Sequence, residues 1–207
     1  MAMVSFSRMA KYSSPTLKRT ISFMRSLVGM LAASSVALAE GELAQRRDAF
    51  DTGISEQRYL DRCRLKTAKL FECACLMGRD VEALGKFGAE IGLAFQLLDD
   101  VLDVSGPPQR TGKARGTDLL DGTITLPLIL AREEDPSIAN AELRALDPPA
   151  AAALCDRIAA TGALEQVRSR AFAMVSAAKQ RLASSAFDPE QRRLLDLVAD
   201  GLVQRYS

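Results

Sequence analysis

The chain has 207 residues and 22.4 kDa, length enough for one domain with a sizeable core. Its 27 Lys+Arg against 26 Asp+Glu leave a net charge of +1, which excludes the basic footprint of a nucleic-acid-binding protein or an acidic-membrane binder. Histidine is absent, which excludes Ser-His and Cys-His nucleophiles and His-bearing zinc sites, and a 48% hydrophobic composition poor in aromatics points to an Ala/Leu-built helical core.

In chain order, Ser14 to about Gln45 reads as one helix, with Ser14 as N-cap and Pro15 at the first helical position. Leu17, Ile21, Met24, Leu27, Val28, Leu31 and Leu38 recur near helical spacing, as in a core helix. Lys18, Arg19 and Arg25 ahead of Leu27–Val36, with Ala37-Leu-Ala39 after it, also imitate a secretory signal. The capped amphipathic pattern favours the core helix. The expectation is therefore a cytoplasmic protein with a retained amino terminus, and the apolar stretch reads as too short and Ser-rich for a stable membrane anchor. Ser55 opens a second helix that runs through Tyr59, Leu65 and Leu70 to Gly78. Asp80 is expected to cap a third, from Val81 to about Val104. Residues 105–116 form the one long turn-rich loop. Helical pattern returns from Thr117 to about Glu134, interrupted at Pro127, and the tail from Pro149 is helical with breaks at Gly162 and Asp188-Pro189. No alternating strand pattern and no repeat occurs. The expected class is all-α, a single helical domain over residues 1–207. The four cysteines have no metal-ligand spacing and read as small buried thiols in a reducing compartment.

Chemistry concentrates in Phe95-Gln-Leu-Leu-Asp-Asp-Val-Leu-Asp103, where three aspartates interrupt an apolar run. On a helix Asp99 and Asp103 share a face, with Gln96 one turn earlier on that side, and Asp100 lies about 100° around. Paired carboxylates on a partly buried face repel and lose hydration, a conflict that a hard divalent cation removes; oxygen ligands suit Mg²⁺. Magnesium takes few protein carboxylates and completes its shell with water and phosphate, so the substrate is expected to carry phosphates. The Gly-rich loop that follows brings Arg110, Lys113 and Arg115 within reach of phosphate oxygens, and Lys66-Thr67 is a further candidate. Asp118 reads by default as a helix cap.

Lys66-Thr67, Phe95–Asp103, Gly112-Lys113, Gly116-Thr-Asp-Leu119 and Thr125-Leu-Pro-Leu128, with Glu40-Gly-Glu-Leu43 ahead of them, occur in the order and spacing of trans-isoprenyl diphosphate synthases, and the chain resembles the carboxy-terminal part of that family. The resemblance implies an isoprenoid-synthase-type helical bundle, here incomplete at its amino end, usually in a homodimer. It implies condensation of an allylic diphosphate with isopentenyl diphosphate. It also implies Asp99, Asp100 and Asp103 as Mg²⁺ ligands, Lys66 and Lys113 as diphosphate-binding cations, and Thr67 and Gln96 beside the allylic cation. The family's earlier aspartate-rich motif and its Gly-Lys-Arg segment have no counterpart, and Thr123 stands where many members have Lys. Two other roles therefore stay open: a non-catalytic partner subunit of a heteromeric prenyl synthase, and a terpene synthase-like enzyme that only ionises its substrate. The bare apolar face of Leu17 to Leu38 argues for association, as a homodimer or with a synthase subunit.

Overall fold

The computed structural model describes residues 15–79, 81–106, 115–183 and 187–206, and among these every regular element is a helix. In chain order they are α1 (Pro15–Arg47), α2 (Glu56–Cys63), a π-helical turn (Arg64–Ala68), α3 (Lys69–Gly78), α4 (Glu82–Ser105), α5 (Thr117–Leu120), α6 (Leu126–Glu134), α7 (Pro136–Ala139), a 3₁₀ turn (Leu143–Ala145), α8 (Pro148–Ala160), α9 (Ala163–Ala183) and α10 (Pro189–Tyr206). Helix α4 is the pivot, packed between α3 on one side and α9 on the other, with α8 and α6 closing its flank. Its apolar run has almost no solvent-facing stripe: Leu84, Phe87, Ile91, Leu97, Leu98, Val101 and Val104 are all buried. Each such side chain contributes about 1.5–3 kcal/mol when fully buried.

Close approach of α3 to α4 depends on Gly88. A Cβ there would lie 2.5 Å from the Phe71 carbonyl oxygen and 2.8 Å from Cys75 Sγ. Gly88→Ala is expected to destabilise the fold by about 1–3 kcal/mol, since the backbone must move to admit the methyl. A thermal melt showing no loss of stability would refute this.

Several sequence expectations change here. Ser14 and Asp80, expected as caps, lie outside the described residues. Val81 stands in extended conformation ahead of α4, whereas Ser55 does cap α2, accepting from the Arg58 N–H. The stretch from Ser55 to Gly78 is not one regular helix, because the π turn over Arg64–Ala68 adds a residue to its winding. Pro127 opens α6 rather than interrupting a longer helix, because the first turn needs no N–H from it. The thiols of Cys63, Cys73 and Cys155 are buried and, like that of Cys75, free.

Helix α1 is the largest departure. It forms as one helix, but only Ser34, Ala37 and Gly41 along it are buried, against the π turn and α3. Phe23 is 60% exposed, Val28 66% and Leu43 67%, so within this chain α1 is not a core helix. The unbroken stretch Thr16–Arg47 is also long and apolar enough to cross a membrane by length and composition, contrary to the shorter apolar segment read from sequence.

Candidate functional site

A polar cavity of about 750 Å³ lies where α1, the π turn, the carboxy-terminal half of α4 and α5 meet. Its walls carry Asp99 and Asp103 from α4, Asp118 from α5, Asp121 and Thr123 from the turn after it, Lys66 from the π turn, Glu42, Gln45 and Arg46 from α1, and Arg205 from α10. Asp99 and Asp103 therefore share a face, as their spacing requires.

The acidic wall is under electrostatic stress. Burial, then the charges of Asp100, Asp103 and Asp99, push the Asp118 carboxyl up to about 8, with Lys66 pulling the other way. Asp118 is not the cap that the sequence suggests: Gly116 holds that position, and the Asp118 backbone N–H donates to Asp103 Oδ2 at 3.2 Å. The Gly116 N–H likewise donates to the Asp103 carbonyl at 3.0 Å, so the end of α4 and the start of α5 are tied together. A carboxylate cluster this strained fits a hard cation. Among the described residues no three acidic side chains converge closely enough to hold a metal alone.

The opposite wall is built by α1. Lys66 Nζ donates to Gln45 Oε1 at 3.0 Å and pairs with Glu42 at 2.9 Å, and Gln45 Nε2 donates to Thr123 Oγ1 at 3.3 Å. The hydrogen bond and charge of Lys66 hold the Glu42 carboxyl below its ordinary range. Gly41 lets α1 come this close, since a Cβ there would sit 2.7 Å from the Lys66 backbone nitrogen. Thr123 accepts from Gln45 and offers no cation to the cavity.

Gln96 lines a cavity together with Asp99, but its hydrogen bonds run to Asp100 and Thr67. Its Nε2 donates to Asp100 Oδ1 at 2.7 Å and its Oε1 accepts from the Thr67 hydroxyl at 2.7 Å. Asp100 is 3% exposed and turned inward, with Oδ2 accepting from the Tyr59 hydroxyl at 2.6 Å. Burial pushes its carboxyl up to about 7; the Tyr59 and Gln96 hydrogen bonds oppose this, and the Asp99 charge adds to it. Burial likewise lifts the Tyr59 hydroxyl well above its ordinary range. These side chains line a second, smaller cavity of about 220 Å³, which shares Lys66, Asp99 and Asp118 with the first.

Lys113 and Arg110, expected as phosphate-binding cations, lie outside the described residues. Arg115 is turned from the cavity: its Nε donates to the Val104 carbonyl at 2.9 Å and its Nη2 to Asp156 at 2.8 Å. Tyr59, Gln45 and Arg205 escaped the sequence reading. Tyr59 stands seven residues before Lys66, about two helical turns, which is a usable signal. Arg205 and Tyr206, whose hydroxyl lies 3.4 Å from Asp99 Oδ1, come from the far end of the chain and gave none.

The described residues thus build an all-α bundle with a carboxylate wall facing a lysine across a polar cavity. A family model described as Polyprenyl synthetase matches residues 1–154, and the chain belongs to that family. It is 32% identical over 193 residues to a geranylfarnesyl diphosphate synthase of Natronomonas pharaonis, a match covering 84% of this chain and 53% of that protein. It is 35% identical over 114 residues to heptaprenyl diphosphate synthase component 2 of Geobacillus stearothermophilus, covering 51% of this chain and 36% of that one. Among solved structures, a polyprenyl synthase of Caulobacter crescentus complexed with calcium and isoprenyl diphosphate superposes with a TM-score of 0.79 at 31% identity, covering 92% of this chain and 62% of that one. The chain thus spans about half to three-fifths of the length of relatives that match most of it.

Proposed function

We propose that the chain carries the second half of a prenyltransferase site, which binds an allylic diphosphate through Mg²⁺ for condensation with isopentenyl diphosphate. The observation that carries this reading is the convergence of Asp99, Asp103 and Lys66 on one polar cavity. Asp99 and Asp103 are the residues that would hold magnesium. The bound ion would supply positive charge to the diphosphate as it leaves. Lys66 has three donors, two of them engaged by Glu42 and Gln45, and adds charge from the opposite wall. Thr67 and Gln96 present oxygen dipoles beside the carbon that becomes cationic. Lys113 would complete the clamp from the loop after α4. The free thiols support a cytoplasmic location.

Asp99→Ala is expected to weaken magnesium-dependent binding of an allylic diphosphate about ten- to hundredfold, the worth of one charge-assisted contact. Calorimetry with and without Mg²⁺ measures it. The exposed Asp61→Ala, whose side chain stands outside the cavity lining, serves as control. Equal affinities for the Asp99 and Asp61 variants would mean that the motif is inherited sequence and not a working site.

One observation favours a second role, as a subunit completing a heteromeric prenyl synthase. The apolar face of α1 stands uncovered in this chain, and one relative is itself named as a component of a heptaprenyl synthase.

A further inference from the structure

Asp100 is the one buried aspartate of the motif. Each of its oxygens receives a short hydrogen bond, from Tyr59 at 2.6 Å and from Gln96 at 2.7 Å, and its side chain is buried beneath the wall that Asp99 and Asp103 present. Each oxygen keeps a second lone pair, but the side chain is 3% exposed and stands outside the lining of the larger cavity, where Asp99 and Asp103 face. Tyr59 is in turn held rigidly: it is 1% exposed, with the Arg62 guanidinium over its ring and Arg62 Nη2 bonded to the Ile124 carbonyl at 2.5 Å. At the other end the Thr67 hydroxyl closes on Gln96 Oε1.

The four side chains form one line across three elements: Tyr59 of α2, Asp100 and Gln96 of α4, Thr67 of the π turn. An amide has two nearly isosteric ends, and a glutamine on a cavity wall can present either one. The ionised carboxylate behind it accepts only from the NH₂ end, which turns the carbonyl toward Thr67 and the cavity. The same contact draws electron density toward that carbonyl, because hydrogen bonds in series polarise one another in a low-dielectric site. We infer that Asp100 and Tyr59 are positioning residues that fix the Gln96 carbonyl toward the reacting carbon, and that Asp100 is not a metal ligand. This rests on the prenyltransferase reading for the identity of the reacting carbon, but the orientation of Gln96 stands on the hydrogen bonds alone.

Two measurements on the full chain separate these layers. The first is the side-chain amide signal of Gln96 in ¹⁵N-labelled protein, identified by its loss in Gln96→Leu. Its NH₂ protons are expected to exchange with solvent at least about tenfold more slowly than those of the exposed Gln204. Tyr59→Phe and Asp100→Asn should each shift the signal and lose most of that protection. Asparagine removes the charge and makes one end of the Asp100 side chain a donor, while phenylalanine removes the Tyr59 hydroxyl; the two variants guard against one of them failing to fold. The second is calorimetry with Mg²⁺ and inorganic pyrophosphate. Asp100→Asn, which removes a neighbouring charge but no ligand, is expected to lose at least about threefold less affinity than Asp99→Ala, which falls about tenfold or more. A Gln96 signal unmoved in both variants, or an Asp100→Asn loss as large as that of Asp99→Ala, would overturn the inference. If the unaltered chain takes up no magnesium pyrophosphate, the functional reading fails, and the Gln96 signal still decides whether Asp100 and Tyr59 orient it.

Discussion

At about pH 8.5 the Asp118→Asn chain is expected to melt about 4–8 °C above the unaltered chain, and at about pH 5 the two should melt close together. Asp118 carries a carboxyl pushed up to about 8 by burial and by three neighbouring carboxylates. Between about pH 4 and 8 the folded chain retains a proton that the unfolded chain has lost, so stability falls as pH rises through that window. Asparagine carries no charge into the cluster and escapes the fall. Discounted for partial solvation, the difference is taken as about 2 kcal/mol, and each kcal/mol moves the melting temperature of a chain this size by about 2–4 °C. Some decline with pH persists in the variant, since Asp100 is raised to about 7 by its own burial. Magnesium with pyrophosphate should stabilise the unaltered chain more at high pH than at low, because the cation competes with the proton for the same cluster. Parallel melting curves for the two chains across that range would refute the assignment of stress to Asp118.

The second expected result concerns association through α1. Phe23, Met24, Val28, Leu31 and Val36 lie on a helix most of whose surface faces solvent. Monomeric soluble proteins seldom leave so continuous an apolar face bare. Sedimentation of the unaltered chain at micromolar concentration should show a dimer or larger species. Val28→Glu with Leu31→Glu should weaken that association about a hundredfold or more, since each carboxylate would have to be buried without a partner. Neither residue supports the cavity from within, so the fold and the binding of magnesium pyrophosphate should survive. A dilution-resistant monomer of the unaltered chain would refute the expectation.

The sequence by itself determined the helical class, the extents of α1, α4 and the carboxy-terminal helices within a few residues, and the pairing of Asp99 with Asp103 across one turn. These are local matters: helix period, turn-breaking Gly and Pro, and residue type act over a few positions, and a spacing of four places two side chains on one face whatever else surrounds them. Only the tertiary structure decided the rest. It turned Asp100 inward to Tyr59, because the side of α4 about 100° from Asp99 is buried beneath the larger cavity's wall. It set Gln45 and Glu42 against Lys66, residues 21 and 24 positions apart, through the close approach that Gly41 permits. It tied Arg115 back to Asp156 and brought Arg205 to the cavity from the far end of the chain. It also exposed α1, whose pattern reads as core. An apolar stripe states that a face must be covered, whereas the identity of the cover depends on which other surfaces the fold brings to it.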